Sequence, residues 1–407
     1  MDDVRFLDDV RVLEIASLAP TQLGMHLADM GAEVIKIEPP GRGDATRLIG
    51  TRPGFADSGL HRRWNRGKRS VAVDTRTEAG VDLVRRLIPH VDIVIEGLRP
   101  GTLARMGLAW SEMVELNPDL VMVALSGYGQ TGPYRDMPSH GVGFDAVAGL
   151  ADVEDDENGR PRVLARHVYY GAQVAPLFAA TSALAALSWS RRTGRPAFLD
   201  VAQADAAAFA NYDVEEQTTA QRATAAGAVA AQSAPDGAET PAPRSTMQSY
   251  RTRDDKLLLL MALERKFFVR LAEAVGRDDL LAQVADDQYV VRGSEETDAA
   301  LSEIIASRDL EDWMEIFATA DVPVVPVNTS AQVADDPHLR VRIDWMDADQ
   351  HTVTMKTPVH SEPSLAPPAP APALGQHTAE VLERVGVDRA ELERLIGEGV
   401  IGVAPEG

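Results

Sequence analysis

The chain predicts an α/β protein with a large parallel sheet and a second, smaller α/β unit. Three observations predict it. Short apolar runs alternate with helical patterns over the first 130 residues, as in a sheet covered by helices on both faces. The run at residues 120–125 is apolar at every position, which suits a strand buried on both sides. A shorter strand-and-helix pattern follows residue 246, after a stretch rich in Ala, Gly and Pro.

The elements follow in order. Residues 11–16, 33–37, 70–73, 92–96 and 120–126 read as strands. Residues 21–30 and 78–88 carry helical periodicity, and 101–106 suggests a shorter helical turn. Residues 173–189 are apolar on nearly every side and read as a buried helix. A strand at 198–203 and a helix-prone run at 204–217 precede residues 223–246, which lack a clear period and read as a loop. In the second unit, 257–261 and 323–327 read as strands and 266–275 and 310–319 as helices. Residues 362–373 form a Pro-rich connector, and 378–397 an amphipathic helical pair. The expected division is 1–200 with 345–407 as a large domain, 201–246 as helical linker and loop, and 247–344 as a small domain.

Composition narrows the function. The chain has 407 residues, with 62 Asp and Glu against 40 Lys and Arg, for a formal charge of −22. That balance argues against nucleic acid or an anionic membrane as partner, while local basic clusters can still bind small anions. The absence of cysteine removes disulfides, thiolate metal sites and Cys nucleophiles. The acidic N-terminal stretch lacks the cationic region of a signal peptide, so a cytoplasmic location is expected. No Gly-x-Gly-x-x-Gly follows the first strand, so NAD is not expected. No His/Asp cluster has ligand spacing, so no metal is expected either.

Six segments, in order, carry a resemblance. They are 32–44 (AEVIKIEPPGRGD), 64–74 (WNRGKRSVAVD), 95–107 (IEGLRPGTLARMG), 117–134 (NPDLVMVALSGYGQTGPY), 184–195 (LAALSWSRRTGR) and 374–382 (LGQHTAEVL). Together they resemble the family III CoA-transferases, a superfamily that also holds α-methylacyl-CoA racemase. The resemblance implies a Rossmann-like large domain built from both ends of the chain, an inserted small domain, and an interlocked homodimer. It implies acyl-CoA as substrate and CoA transfer to a carboxylic acid.

The resemblance also assigns residues. Lys68 and Arg69, within the basic run 62–69, would lie near the nucleotide end of CoA, and Arg105 near its phosphates. By itself such a run reads as a solvated loop. Gly41 and Asp44, in Pro40-Gly-Arg-Gly-Asp44, would form a tight turn close to the ligand. His140 aligns with the racemase's catalytic histidine, and Glu264 with the glutamate that orients it; a carboxylate on an imidazole fixes its tautomer and raises its basicity. A different alignment pairs Gly143-Phe144-Asp145 with a Gly-Phe-Asp of the transferases.

The family's acyl-carrying aspartate should fall at 169–172. Those residues are Tyr169, Tyr170, Gly171 and Ala172, and no Asp or Glu occurs between Glu157 and Asp200. Neither tyrosine nor glycine can form an acyl anhydride. Three functions stay open: CoA transfer, α-proton exchange by His140 with Glu264, or a non-catalytic CoA-binding subunit of a heteromer with an aspartate-bearing paralogue.

Overall fold

The computed structural model describes residues 3–50, 57–164, 167–226, 245–284, 287, 289–349 and 352–404. Most of the loop expected at 223–246 lies outside them. The chain divides into two compact units, Met1–Ala225 with Ile343–Gly407, and Ala226–Arg342.

The strands of the large unit are β1 (Arg11–Ala16), β2 (Glu33–Glu38), β3 (Lys68–Val73), β4 (Ile93–Gly97), β5 (Val121–Ser126), the hairpin β6 (Val153–Asp155) and β7 (Pro161–Val163), and β8 (Ala197–Ala202). The small unit adds β9 (Met247–Arg251), β10 (Leu257–Met261) and β11 (Val324–Pro326). The chain then returns to the large unit with β12 (Trp345–Asp349), β13 (Thr352–Met355) and β14 (Ile401–Gly402). Seven strands form one sheet in the order β14-β3-β2-β1-β4-β5-β8. Every neighbouring pair is parallel except β14 on β3.

Alternation along the strands fills two cores. Leu13, Ile15, Ile35, Val71, Val94 and Met122 pack with the helix α3 (Glu78–Leu87) and with Val381, Leu392 and Leu395 from the C-terminal helical pair. Val12, Val34, Ile93, Ile95, Val123 and Leu125 pack on the opposite face, against α1 (Thr21–Asp29) and α7 (Tyr170–Thr193).

Helix α7 differs from the expectation of burial on all sides. Its small residues Ala172, Ala175, Ala179 and Ala183 form the buried stripe, and small side chains let it lie close on α1, β5 and β8. The outer positions Leu177 and Phe178 are exposed. Apolar composition alone does not say which face a helix buries. Pro176 has no N–H for the carbonyl of Ala172, four residues back. The Gln22 side-chain amide donates to that oxygen at 2.8 Å instead, so the helix continues through its proline with the acceptor satisfied. Among the described residues this is the one helix long and apolar enough to cross a membrane.

The run expected as one helix at 204–217 is two, α8 (Gln203–Ala210) and α9 (Asp213–Ala225). Both belong to the large unit, and α8 packs on α7. In the small unit, the antiparallel sheet β11-β10-β9 carries helices Arg265–Val275, Glu295–Ile305 and Leu310–Thr319. Its core joins Leu258, Leu260, Phe268, Leu301, Trp313 and Phe317.

Candidate active site

A cleft of about 300 Å³ opens at the carboxyl ends of β1, β4 and β5. Sequence order reverses at this point of the sheet, since β2 and β3 lie to one side of β1 and β4 and β5 to the other. The loops leaving β1 and β4 therefore diverge and leave a crevice, the place where open α/β sheets bind ligands.

The first wall is the turn at 17–20, in which Leu18 takes φ +61°. A left-handed leucine costs about 1–2 kcal/mol, so the neighbourhood must hold it. A buried charge network does so. Lys36 Nζ, on β2, donates to Glu14 Oε1 and to the Ala16 carbonyl, each at 2.8 Å, and pairs with Asp44 at 2.7 Å. Asp44 accepts from Ser17 Oγ at 3.1 Å and from Thr46 N–H at 2.7 Å. Lys68 Nζ reaches Glu14 Oε2 at 2.8 Å and the Thr21 carbonyl at 2.7 Å. The turn is thus tied at Ala16, Ser17 and Thr21 by charges that lie on the same face of three adjacent strands.

This network alters the roles expected of two residues. Lys68 and Asp44 are buried and engaged with protein atoms; they shape the turn and do not face the cleft. Burial pulls Lys68 down to about 8 against the attraction of Glu14. Burial works to raise Asp44, but the charge and hydrogen bond of Lys36 outweigh it and hold the carboxyl well below the usual carboxylate range. Gly41 has φ +74°, and a Cβ there would meet nothing within 4 Å. Its backbone conformation, and not crowding, is what favours glycine. Arg69 pairs with Glu33 at 2.8 Å and Glu380 at 2.9 Å. It lies beside Arg5 and Arg11 in a groove at the amino ends of the strands, the opposite edge of the sheet from the cleft.

Glu38 belongs to the same charged layer. Burial works to raise its pKa, but the hydrogen bonds and charge of Arg47, with Lys36, hold it at about 2 against an ordinary 4.5. The folded value is depressed, so the stabilisation is complete above pH 4.5 and is lost as pH falls through 2. That difference is about 3 kcal/mol. Glu38→Gln is expected to flatten the acid limb of stability between pH 4.5 and 2, as measured by urea midpoints at each pH.

The second wall follows β4, with Leu98, Arg99 and Pro100 facing the cleft. Arg105 is exposed at the end of the short helix Thr102–Arg105, with Nη2 on Thr102 Oγ1 at 2.9 Å. Its Nη1 and the Nη2 of Arg135 lie 3.4 and 3.3 Å from where a Cβ on Gly101 would stand, so the two guanidinium groups flank Gly101. Arg135 also lines the cleft, braced by the Gln130 carbonyl at 2.8 Å. Arg135 Nη1 also pairs with Asp136 at 2.9 Å, so part of its charge is met within the protein.

The third wall comes from Tyr128, His140, Phe144 and Gln203. His140 is exposed and stands just before α6 (Gly141–Val147). Glu264 is in the small unit, next to the first turn of its helix, and pairs with Lys266 at 3.1 Å. Gln203 is 5% exposed, and its Oε1 is buried without a hydrogen-bond partner.

Asp145, the acid of the Gly143-Phe144-Asp145 segment, has a definite place in the structure. It is fully buried on α6 at the start of α7. Oδ1 accepts from Gly171 N–H at 2.8 Å, and Oδ2 from Tyr170 N–H at 2.9 Å. His167 Nε2 lies 2.8 Å from Oδ2. The carboxylate thus satisfies two of the orphan donors of α7's first turn and complements the helix dipole. Gly171 is required here because a Cβ would come within 2.5 Å of the Gln203 carbonyl. Tyr169 is half exposed, and its ring packs beside Gly141 and edge-on to His167. Among the described residues no group of three His, Cys, Asp or Glu is gathered as metal ligands.

The model of CoA-transferase family III matches residues 7–378. The chain belongs to that family. This CoA-transferase is 35% identical to succinyl-CoA–D-citramalate CoA-transferase of Chloroflexus aurantiacus over 98% of both chains. It is 28% identical to the succinyl-CoA:glutarate CoA-transferase of Mus musculus, covering 98% of this chain and 91% of that one. Among solved structures, a CaiB/BaiF family protein from Brucella suis superposes with a TM-score of 0.74 at 25% identity. A hypothetical protein from Mycobacterium tuberculosis superposes with 0.76 at 26%. Each comparison covers 94% of this chain and all of the other. The protein is an enzyme that moves CoA between an acyl-CoA thioester and a carboxylic acid.

Proposed function

We propose that both acids this CoA-transferase exchanges are dicarboxylic, with succinyl-CoA as donor. The observation that carries this reading is the pair Arg99 and Arg135 in the cleft wall. A dicarboxylic acyl group keeps one free carboxylate after thioester formation, and a guanidinium is the side chain that binds it in two-pronged fashion. The named substrates of the relatives, succinyl-CoA with citramalate or glutarate, support the same class. The test is thioester exchange from succinyl-CoA to citramalate, glutarate and malate by the purified chain. Arg135→Ala is expected to raise KM for these acids about 10- to 100-fold, the loss of one charge-assisted contact. KM for a monocarboxylic acid should stay unchanged. Exchange that proceeds equally well with monocarboxylic acids would sink the proposal.

A second reading rests on Tyr169 and Tyr170 at the start of α7 and on the relatives of Chloroflexus aurantiacus named as α and β subunits of succinyl-CoA–L-malate CoA-transferase. In it the chain works with a second family member, and exchange would appear only when that chain is added. The exposed apolar positions Leu177, Phe178, Phe209 and Tyr212 support burial of this side of the large unit in an oligomer.

A further inference from the structure

We infer that the acceptor acid itself attacks the donor thioester, so that the anhydride forms between the two substrates and not on an enzyme side chain. The inference rests on CoA transfer being the reaction. Exchanging CoA between two acids at no loss of thioester energy needs a carboxylate nucleophile, because its product with the thioester is an anhydride that thiolate can reopen on either side. That carboxylate is either the enzyme's or the acceptor's.

The side chains of this cleft suit the second. Arg99, Arg135, His140 and Gln203 line it, with Asp136 paired to Arg135 at 2.9 Å; guanidinium groups bind and orient a carboxylate. The carboxylate at the start of α7, Asp145, is fully buried with both oxygens held by the first-turn N–H groups and His167. Attack by it would break those bonds and uncap the helix. Glu96, just before the cleft residue Gly97, alternates with Ile95 and so points to the α3 face, where its Oε1 is buried without a hydrogen-bond partner. Tyr169 stands at the rim where α7 begins. With both substrates bound, proximity replaces covalent capture, since oriented neighbours react at effective molarities of about 10⁵–10⁸ M.

The steps balance without an added proton. An acceptor oxygen bonds to the thioester carbon as the C–S bond breaks, and CoA leaves as thiolate with the electron pair. The thiolate then bonds to the acceptor's carbonyl carbon as its bond to the bridging oxygen breaks. The donor leaves as a carboxylate carrying one oxygen from the acceptor.

The test is a single turnover with enzyme in excess over succinyl-CoA, using glutarate labelled with ¹⁸O in both carboxylates. One labelled oxygen is expected in the succinate released, with no mass change in the protein and no CoA released before glutarate is added. Unlabelled succinate with ¹⁸O on a protein carboxylate, or one equivalent of CoA released without acceptor, would overturn the route while leaving CoA transfer standing. Formation of no glutaryl-CoA would overturn the transfer reading and this route together.

Discussion

Lys36→Met is expected to destabilise the large unit by about 3–5 kcal/mol and lower its melting temperature by roughly 10 °C. Lys36 is 1% exposed and lies between Glu14, 0% exposed, and Asp44, 3% exposed. Burial works to lower its pKa, but Glu14, Asp44 and Glu38 together raise it above the ordinary value, so it remains charged. Methionine fills a similar volume, which separates charge from packing. Removing the cation leaves two buried carboxylates with one fewer partner, and that uncompensated charge is the expensive term. Lys36→Met should also weaken activity beyond its effect on stability, because the Ala16 carbonyl and Asp44 then no longer hold the turn containing Leu18. Calorimetry reads the first effect and thioester exchange well below the melting temperature reads the second. A melting temperature within 2 °C of the parent would show that the network is energetically neutral.

Asp145→Ala is expected to cost about 3–5 kcal/mol, from two backbone N–H groups and His167 left without their acceptor in a dry site. Asp145→Asn keeps the shape and one carbonyl oxygen, so it should lose roughly half as much. Exchange activity should fall with both, since α6 carries Phe144 in the cleft wall and begins beside His140. Protection of the first-turn amides of α7 from hydrogen exchange checks the cause, because Tyr170 and Gly171 N–H should lose protection before the rest of the helix. Unchanged protection in Asp145→Ala would refute the capping role.

Strands β4 and β5 were legible because each is buried on both sides and reads as a largely apolar run, whereas the exposed hairpin β6–β7 carries no such run. The cleft position was not legible, since it lies where the loops after β1 and β4 part and strand order is set by tertiary pairing. The charged residues were harder. Lys68 and Asp44 sit in polar stretches that read as ligand loops, yet their partners Glu14 and Lys36 come from other strands, and sheet register brings them together. Lys36 itself sits within EVIKIE, where it looks like an ordinary outward-facing residue. Asp145 was hidden for a similar reason. Its hydrogen bonds join residues 25 and 26 positions apart, and spacing along the chain does not report a helix capped from another helix. Gln203 is visible only once α8 is seen to begin against Gly171. Glu264 belongs to the small unit and His140 to the large one.

The position of β14 bears on how the protein is made. Residues Ile401 and Gly402 complete the sheet by pairing with Val73 and Ala72, while Thr378 Oγ1 accepts from Ala72 N–H at 3.0 Å. During synthesis β3 is therefore translated more than 300 residues before its outer neighbour. Until then its edge is a row of open hydrogen-bonding groups, the surface that recruits strands from other chains. The small unit, whose three strands all lie between Met247 and Pro326, needs nothing from the far end of the chain to close its own sheet. Chains truncated after residue 350 should hold a protease-resistant small unit and a large unit that is still open to cleavage and to misassociation.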